Sequence, residues 1–107
     1  MVRQVEAREE YEAILAEAAG RLIVIDFYAT WCGPCKLMAP KFEKYASEFE
    51  EAIFFKIDID ESAMEEIVDE MDIKVMPTFI LIKDGEQVER LEGNVPDQLK
   101  EAIKKHK

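Results

Sequence analysis

Residues 22–28 constrain the fold of this chain more than any other stretch. The run Leu-Ile-Val-Ile-Asp-Phe-Tyr is almost entirely aliphatic or aromatic, and only Asp26 interrupts it. A half-exposed strand alternates polar and apolar residues, whereas a nearly continuous apolar run is typical of a strand covered on both faces. The run therefore predicts a central strand in a sheet with helices on both sides.

The segments around this strand alternate between strand and helix patterns. Further strand-like runs occupy residues 2–5, 53–58, 78–83 and 86–92. The last two are joined by Asp84-Gly85, the strongest short hairpin signal. Apolar residues at helical spacing mark four helices, within residues 11–18, 38–49, 64–71 and 96–103. We therefore predict an α/β fold in the order β-α-β-α-β-α-β-β-α, with a central mixed five-stranded sheet flanked by four helices.

Local signals refine three of these helices. Gly20 follows the first helical pattern and predicts its end. Pro40 lies inside the second helix, where we expect a kink because the apolar spacing continues past it. Ser62 and Glu65 have the spacing of a capping box, which predicts the start of the third helix.

Length and composition limit the class of protein. A chain of 107 residues with 49% hydrophobic residues is the usual size of one domain, so we expect a single domain over residues 1–107. The net charge of −10 argues against nucleic-acid binding. No stretch approaches the roughly 18 consecutive apolar residues of a membrane span, and the charged start does not resemble a signal peptide. We expect a soluble, cytoplasmic monomer with neither nucleic acid nor membrane as a partner.

The only two cysteines, Cys32 and Cys35, lie directly after the predicted central strand, at the start of the next helix. A structural disulfide closing so short a loop would stabilise the chain little. A closed zinc site needs four ligands, and the single histidine, His106, lies at the far end, so we expect no metal. A helix start stabilises a thiolate at Cys32, and one helical turn brings Cys35 within disulfide reach. The pair is best interpreted as a redox centre.

Four other positions each leave two interpretations open. Asp26 is either buried in the central strand, with a partner or a raised pKa, or points outward from an edge strand. Pro77 precedes a predicted strand, and because only about 5–6% of X–Pro bonds are cis, the residues alone favour trans. Trp31 and Met76 are either contact residues at the surface or part of the core.

One motif and its surroundings resemble the thioredoxin family over essentially the whole chain. The motif is Trp-Cys-Gly-Pro-Cys-Lys at residues 31–36, preceded by Asp26-Phe27 and followed by Val-Met-Pro-Thr at residues 75–78. The resemblance implies the thioredoxin fold and a thiol–disulfide oxidoreductase that reduces disulfides in target proteins. It also implies that Cys32 attacks the substrate, and that Cys35 resolves the mixed disulfide.

The resemblance implies roles for residues around the cysteines. Asp26 would assist proton transfer at Cys35, and Lys56 would lie near Asp26. Pro77 would be cis, and the residue before it would pair with the substrate backbone. The implied substrate-binding residues are Trp31, Gly33, Pro34, Met76, Pro77 and Gly93.

Electron flow and partners follow from the same resemblance. No cofactor would be bound, and NADPH would act indirectly through thioredoxin reductase. The implied substrates include peroxiredoxins, ribonucleotide reductase and methionine sulfoxide reductase. Gly33-Pro34 supplies no charge that would stabilise the reduced form, which favours a reductant. Animal cytosolic members often carry a cysteine where this chain has Val75, so here all redox chemistry must run through Cys32 and Cys35.

Two alternatives remain open. A disulfide isomerase-like oxidant is disfavoured by Gly33-Pro34 and by the absence of a secretion signal. A non-catalytic binding module with the same fold is disfavoured by the intact motif, together with Asp26 and Pro77.

Overall fold

The computed structural model describes residues 2–107. Its elements in chain order are β1 (Arg3–Gln4), α1 (Arg8–Ala16), β2 (Ile23–Tyr28), α2 (Gly33–Glu48), β3 (Ile53–Asp58), a 3₁₀ turn (Ser62–Met64), α3 (Glu65–Glu70), β4 (Thr78–Lys83), β5 (Glu86–Glu92) and α4 (Pro96–His106). The predicted order of strands and helices is confirmed over this part of the chain. None of the helices described in it is long and apolar enough to cross a membrane.

The five strands form one mixed sheet in the order β1-β3-β2-β4-β5. β2 lies at its centre, parallel to β3 and antiparallel to β4. Residues 23–27 of β2 are each at most 5% exposed. The prediction of a central strand covered on both faces is therefore confirmed.

Two apolar cores, one on each face of the sheet, explain the continuous apolar character of β2. Val24 and Leu81 belong to the core that α2 and α4 cover. Ile25 and Ile80 belong to the opposite core, which α1 and α3 cover. Because side chains of a strand alternate between faces, Asp26 lies on the same face as Val24, beneath the start of α2.

Two helix-boundary predictions are wrong, and one is confirmed. α1 ends at Ala16, about one turn before Gly20, because the N–H of Glu17 closes the last helical bond with Ala13. The capping box at Ser62 does not form, since Ser62 already lies inside the 3₁₀ turn and no side chain caps that turn or α3. α2 continues through Pro40, as the apolar spacing predicts.

The hairpin and the two sheet edges complete the architecture. Asp84 and Gly85 have φ values of 52° and 80°, the left-handed conformation that a type I′ turn requires at both positions. β4 and β5 are antiparallel on either side of this turn, as predicted. The edges of the sheet are β1, which is two residues long, and β5, which has the sequence Glu-Gln-Val-Glu-Arg-Leu-Glu.

Candidate active site

The two cysteines lie at the amino-terminal end of α2, just past the carboxyl end of β2. Cys32 is the N-cap residue, and its Sγ accepts a hydrogen bond of 3.1 Å from the backbone N–H of Cys35. The two residues form a disulfide whose Cα atoms are 5.3 Å apart. Pro34 lies in the first turn, where its missing N–H costs no helical bond. The predicted location of the pair at a helix start is confirmed.

The two cysteines differ in their surroundings and not in their exposure. Each is 5% exposed, so Cys32 is as buried as Cys35. Cys32 Sγ lies 3.5 Å from the carbonyl oxygen of Met76, whereas Cys35 lines a cavity that is partly open to solvent. A Cβ added to Gly33 would meet nothing within 4 Å, so the backbone beside Cys32 is open to an approaching partner.

Asp26 is a buried carboxyl group in the centre of the sheet. It is 5% exposed and pairs in register with Lys56 of β3 and Phe79 of β4, so the interpretation of an outward-facing edge residue is wrong. Burial raises the pKa of Asp26 to about 7, and the positive charge of Lys56 opposes this rise. Its Oδ1 has no hydrogen-bond partner within residues 2–107. A carboxyl group with this pKa can both accept and release a proton near neutral pH.

A cavity of about 240 Å³ brings Asp26, Cys35 and Lys56 together. The residues lining it are Asp26, Tyr28, Ala29, Thr30, Cys35, Lys36, Ala39 and Lys56. The Nζ atom of Lys56 lies 5.5 Å from the centre of the Tyr28 ring. The volume is sufficient for several water molecules, and polar groups lie on its wall. The cavity therefore provides a route along which a proton can pass between Cys35 and Asp26.

The segment around Pro77 lies against the cysteines. The Met76–Pro77 peptide bond is cis, as the family resemblance implies and against the statistical expectation from the residues alone. The carbonyl oxygen of Pro77 accepts a hydrogen bond of 2.8 Å from the N–H of Gly93, whose φ is +92°. Met76 is half-buried and packs on the cysteine pair. Of these three residues, Met76 contacts the cysteine pair, whereas Pro77 follows it in the chain, is buried and is hydrogen-bonded to Gly93.

Trp31 lies on the surface beside Cys32. Its side chain is 65% exposed, so the interpretation of Trp31 as a core residue is wrong. The indole Nε1 donates a hydrogen bond of 2.8 Å to Oδ2 of Asp60, in the turn after β3. Gly33 and Pro34 are also exposed. An exposed surface that includes one large aromatic ring therefore surrounds the buried disulfide.

A family model described as thioredoxin matches residues 2–105, a range that includes every site residue described above. The chain belongs to the thioredoxin family.

Individual thioredoxins are similar to this chain over nearly their full length. Thioredoxin-1 of Schizosaccharomyces pombe is 42% identical over 104 residues, which cover 97% of each chain. The X-ray structure of Fasciola hepatica thioredoxin superposes with a TM-score of 0.93 at 42% identity, over 99% of this chain and 100% of that one. A structure described as the basis of thiol resolution in yeast mitochondrial 1-Cys peroxiredoxin via glutathione/thioredoxin systems superposes with a TM-score of 0.87 at 36% identity. That match covers 97% of this chain and 94% of the other.

These relatives and the cysteine geometry identify the activity. The chain is a thiol–disulfide oxidoreductase, a protein-disulfide reductase of the thioredoxin family, whose redox-active group is the pair Cys32–Cys35. Disulfide-containing proteins are its substrates. Within residues 2–107, no group of three or more His, Cys, Asp or Glu side chains is arranged to hold a metal ion.

Two residues with contacts to the site or to the segment that leads to it, Asp60 and Arg90, do not follow from the sequence reasoning. Asp60 comes directly after β3, at the same end of the sheet as the cysteines, and this position is the signal that could have revealed it. Arg90 of β5 donates hydrogen bonds of 2.6 Å and 2.7 Å to the carbonyl oxygens of Met71 and Asp72. These carbonyls end α3, and the chain runs from them to Met76. No local sequence pattern predicts this contact, because Met71 and Asp72 are 19 and 18 residues away from Arg90 in the chain.

Replacing Arg90 by methionine is expected to loosen the segment that leads from α3 to Met76. Losing two hydrogen bonds from a charged donor is expected to cost about 1–3 kcal/mol of unfolding free energy. Amide hydrogen exchange at residues 72–76 should accelerate more than at the rest of the chain. The matched control is Arg3→Met, because Arg3 forms an exposed ion pair with Glu10, and such pairs contribute about 0–1 kcal/mol. Equal exchange at residues 72–76 in both variants would show that Arg90 does not position this segment.

Proposed function

We propose that Cys32 is the attacking thiolate of the reductase and that Cys35 is the resolving thiol. The observation that carries this assignment is the backbone N–H of Cys35, which points at Cys32 Sγ from 3.1 Å. This donor, together with the positive end of the α2 dipole, stabilises a negative charge on the sulfur of reduced Cys32 and so favours its thiolate. The open backbone at Gly33 lets a substrate disulfide reach it.

The reaction consists of two thiol–disulfide exchanges. The Cys32 thiolate attacks one sulfur of the substrate disulfide, forms a mixed disulfide and expels the other sulfur as a thiolate. The Cys35 thiolate then attacks the Cys32 sulfur and expels the second substrate sulfur. The substrate gains two electrons and becomes a dithiol, and Cys32–Cys35 becomes the disulfide.

Asp26 is the group that takes the proton of Cys35 before the second exchange. Both residues line the same cavity, and a pKa of about 7 leaves part of the Asp26 population ionised at neutral pH. Lys56 supports this role, since its positive charge favours the ionised form of Asp26. The proton passes through water in the cavity and returns to solvent when the cycle closes.

Substrate recognition involves Trp31, Gly33, Pro34, Met76 and Gly93, which reach the surface, and Pro77, which is buried and supports Met76 from within. Met76 is close to the reacting sulfur, and its backbone can pair with an extended substrate segment. Main-chain pairing gives affinity without requiring one particular substrate sequence. This mode suits a reductase that acts on many proteins.

A flavin-containing thioredoxin reductase that oxidises NADPH is the proposed source of electrons. Peroxiredoxins, ribonucleotide reductase and methionine sulfoxide reductase are the proposed substrates. The peroxiredoxin proposal is supported by a structural neighbour described in terms of peroxiredoxin resolution through the thioredoxin system. The single domain over residues 1–107, the monomeric state and the cytoplasmic location stay predictions from the sequence.

The proposed electron route is tested by coupling the protein to purified thioredoxin reductase, NADPH and insulin. We expect NADPH oxidation to rise in proportion to the protein concentration and to cease in a Cys32→Ser, Cys35→Ser double variant. A parallel reaction uses dithiothreitol as the reductant and follows insulin precipitation. If insulin reduction accelerates in the dithiothreitol reaction but not in the NADPH reaction, thioredoxin reductase is rejected as the electron donor. If it accelerates in neither reaction, the assignment of this protein as a disulfide reductase is rejected.

A further inference from the structure

Helix α2 presents an exposed row of side chains that begins inside the cysteine motif. Pro34, Leu37, Lys41 and Lys44 are all exposed, and their spacing of three or four residues places them along one side of the helix. Ten residues of helix rise about 15 Å, so the row extends well beyond the cysteines. Leu37 is 68% exposed, which makes it the most exposed large hydrophobic residue among residues 2–107. These four residues are named the α2 row below.

The α2 row carries positive charge on an acidic molecule. The net charge of the chain is −10, yet residues 27–42 contain no aspartate or glutamate. Within residues 2–107, neither Lys41 nor Lys44 lies within ion-pair distance of a carboxylate. The neighbouring Glu43 instead accepts a hydrogen bond from the N–H of Val2. The positive charges of the row are therefore available to a partner.

Negative charge lies at the Trp31 end of the cysteine motif. The end of β3 and the turn after it contain Asp58, Asp60 and Glu61, and Asp60 holds the ring of Trp31. Cys32 thus lies between an acidic turn and a basic, partly apolar helix face. A partner that carries an acidic segment meets repulsion at the turn and attraction at the helix, so the charge pattern selects one orientation.

We propose that the α2 row docks an acidic segment of the substrate protein, with an apolar side chain on Leu37 and carboxylates on Lys41 and Lys44. This inference rests on the proposed attack by Cys32 and deepens it by naming a substrate class. The favoured substrates carry, next to the reactive disulfide, a segment that combines an apolar residue with aspartate or glutamate. Charge complementarity is the reason for this choice of occupant, because Lys41 and Lys44 have no carboxylate within ion-pair distance among residues 2–107, whereas the chain as a whole carries a net charge of −10.

The test uses synthetic peptides with one cysteine in a mixed disulfide with thionitrobenzoate. A Gly-Ser spacer joins this cysteine to a tail that contains leucine together with glutamates, lysines or serines. Each tail is made in two versions, one amino-terminal and one carboxy-terminal to the cysteine. Reduced protein in excess is mixed with each peptide, and the release of thionitrobenzoate is followed by stopped-flow absorbance. For the better tail position, we expect the glutamate peptide to react about tenfold faster than the lysine peptide at low ionic strength. Added salt should shrink this preference.

Two double variants that remove the same number of charges separate local docking from overall charge. Lys41→Gln with Lys44→Gln is expected to abolish the preference for the glutamate peptide. Lys83→Gln with Lys105→Gln is expected to preserve it, because Lys83 lies at the hairpin end of β4 and Lys105 lies on α4. A third variant, Leu37→Ser, should slow the leucine–serine peptide about fivefold through the loss of apolar contact.

Three outcomes would overturn the proposal. The first is equal rates for the glutamate and lysine peptides with the unaltered protein. The second is loss of the preference in both double variants. The third is a dimer of the unaltered protein, detected by light scattering at assay concentrations, that is absent in the Lys41→Gln, Lys44→Gln variant. The α2 row would then bind a second copy of this chain and not a substrate segment. Failure of the proposed function has a distinct result, because Cys32→Ser would then react with all peptides as fast as the unaltered protein.

Discussion

Replacing Cys35 by serine is expected to trap substrate proteins on Cys32, whereas replacing Cys32 by serine is expected to prevent any covalent complex. The first variant keeps the attacking thiolate and the N–H that stabilises it, because that N–H belongs to the backbone of residue 35. It lacks only the thiol that resolves the mixed disulfide. Both variants should lose turnover by at least about 10³-fold, since the two thiols act as one unit.

The measurement for this pair combines insulin reduction with mass spectrometry of the products. The two variants are matched, because each replaces one sulfur by one oxygen in the same turn of α2. Serine is a favourable N-cap residue, so the fold is expected to survive the change at Cys32. A stable mixed disulfide with the Cys32→Ser variant would reverse the roles assigned to the two cysteines.

Replacing Asp26 by asparagine is expected to stabilise the fold strongly at alkaline pH and little at acidic pH. In the folded protein burial raises the pKa of Asp26 from 3.8 to about 7, so between these values the folded state holds the proton more tightly than the unfolded chain. The stability associated with this proton is fully present below pH 3.8 and is lost as the pH rises through about 7. Above this range the buried charge costs about 4 kcal/mol, a penalty that neutral asparagine does not incur.

Chemical denaturation of the oxidised protein at pH 4 and pH 8 tests this expectation. Asp69, an exposed residue of α3, provides the control, and Asp69→Asn should change the unfolding free energy by less than about 0.5 kcal/mol at either pH. An equal effect of Asp26→Asn at both pH values would contradict a raised pKa in the folded state.

The same Asp26→Asn variant is expected to slow the second exchange reaction, because the thiol of Cys35 loses its proton acceptor. The rate of substrate release from the mixed disulfide, followed by stopped-flow fluorescence, should fall about 10²-fold, and its pH profile should lose the inflection near 7. The rate of mixed-disulfide formation should change much less, since Cys32 does not line the cavity. An unaltered release rate and pH profile would remove Asp26 from the mechanism.

The fold was predicted correctly from the spacing of apolar residues, because this spacing reflects which face of a strand or helix is buried in a core. Successive residues of β2, such as Val24 and Ile25, belong to opposite cores, so residues on both faces must be apolar. The sequence shows this requirement directly as a continuous apolar run. The ends of helices depend on small differences in free energy between alternative backbone hydrogen bonds and side-chain caps. Ser62 and Glu65 have the right spacing for a cap, but the backbone already turns at Ser62, so the capping bonds cannot form.

The candidate site was predictable to the extent that its residues are close in sequence or carry a chemical anomaly. Cys32 and Cys35 are revealed by spacing, and Asp26 is a carboxylate in an apolar strand. Asp60 and Arg90 carry no such anomaly, since both are ordinary charged residues whose contacts come from distant parts of the chain. The equal exposure of the two cysteines was also unpredictable, because it depends on how Ala29 and Met76 pack over them.

The charges on β5 have a consequence for behaviour at high concentration. An edge strand offers unpaired backbone groups to strands of other chains, and sheets extended in this way lead to aggregation. Here β5 carries Glu86, Glu89, Arg90 and Glu92, while the opposite edge, β1, is only two residues long. A second copy aligned along β5 would bring like charges together and leave them poorly hydrated. The charges on β5 therefore disfavour the joining of two copies edge to edge along this strand.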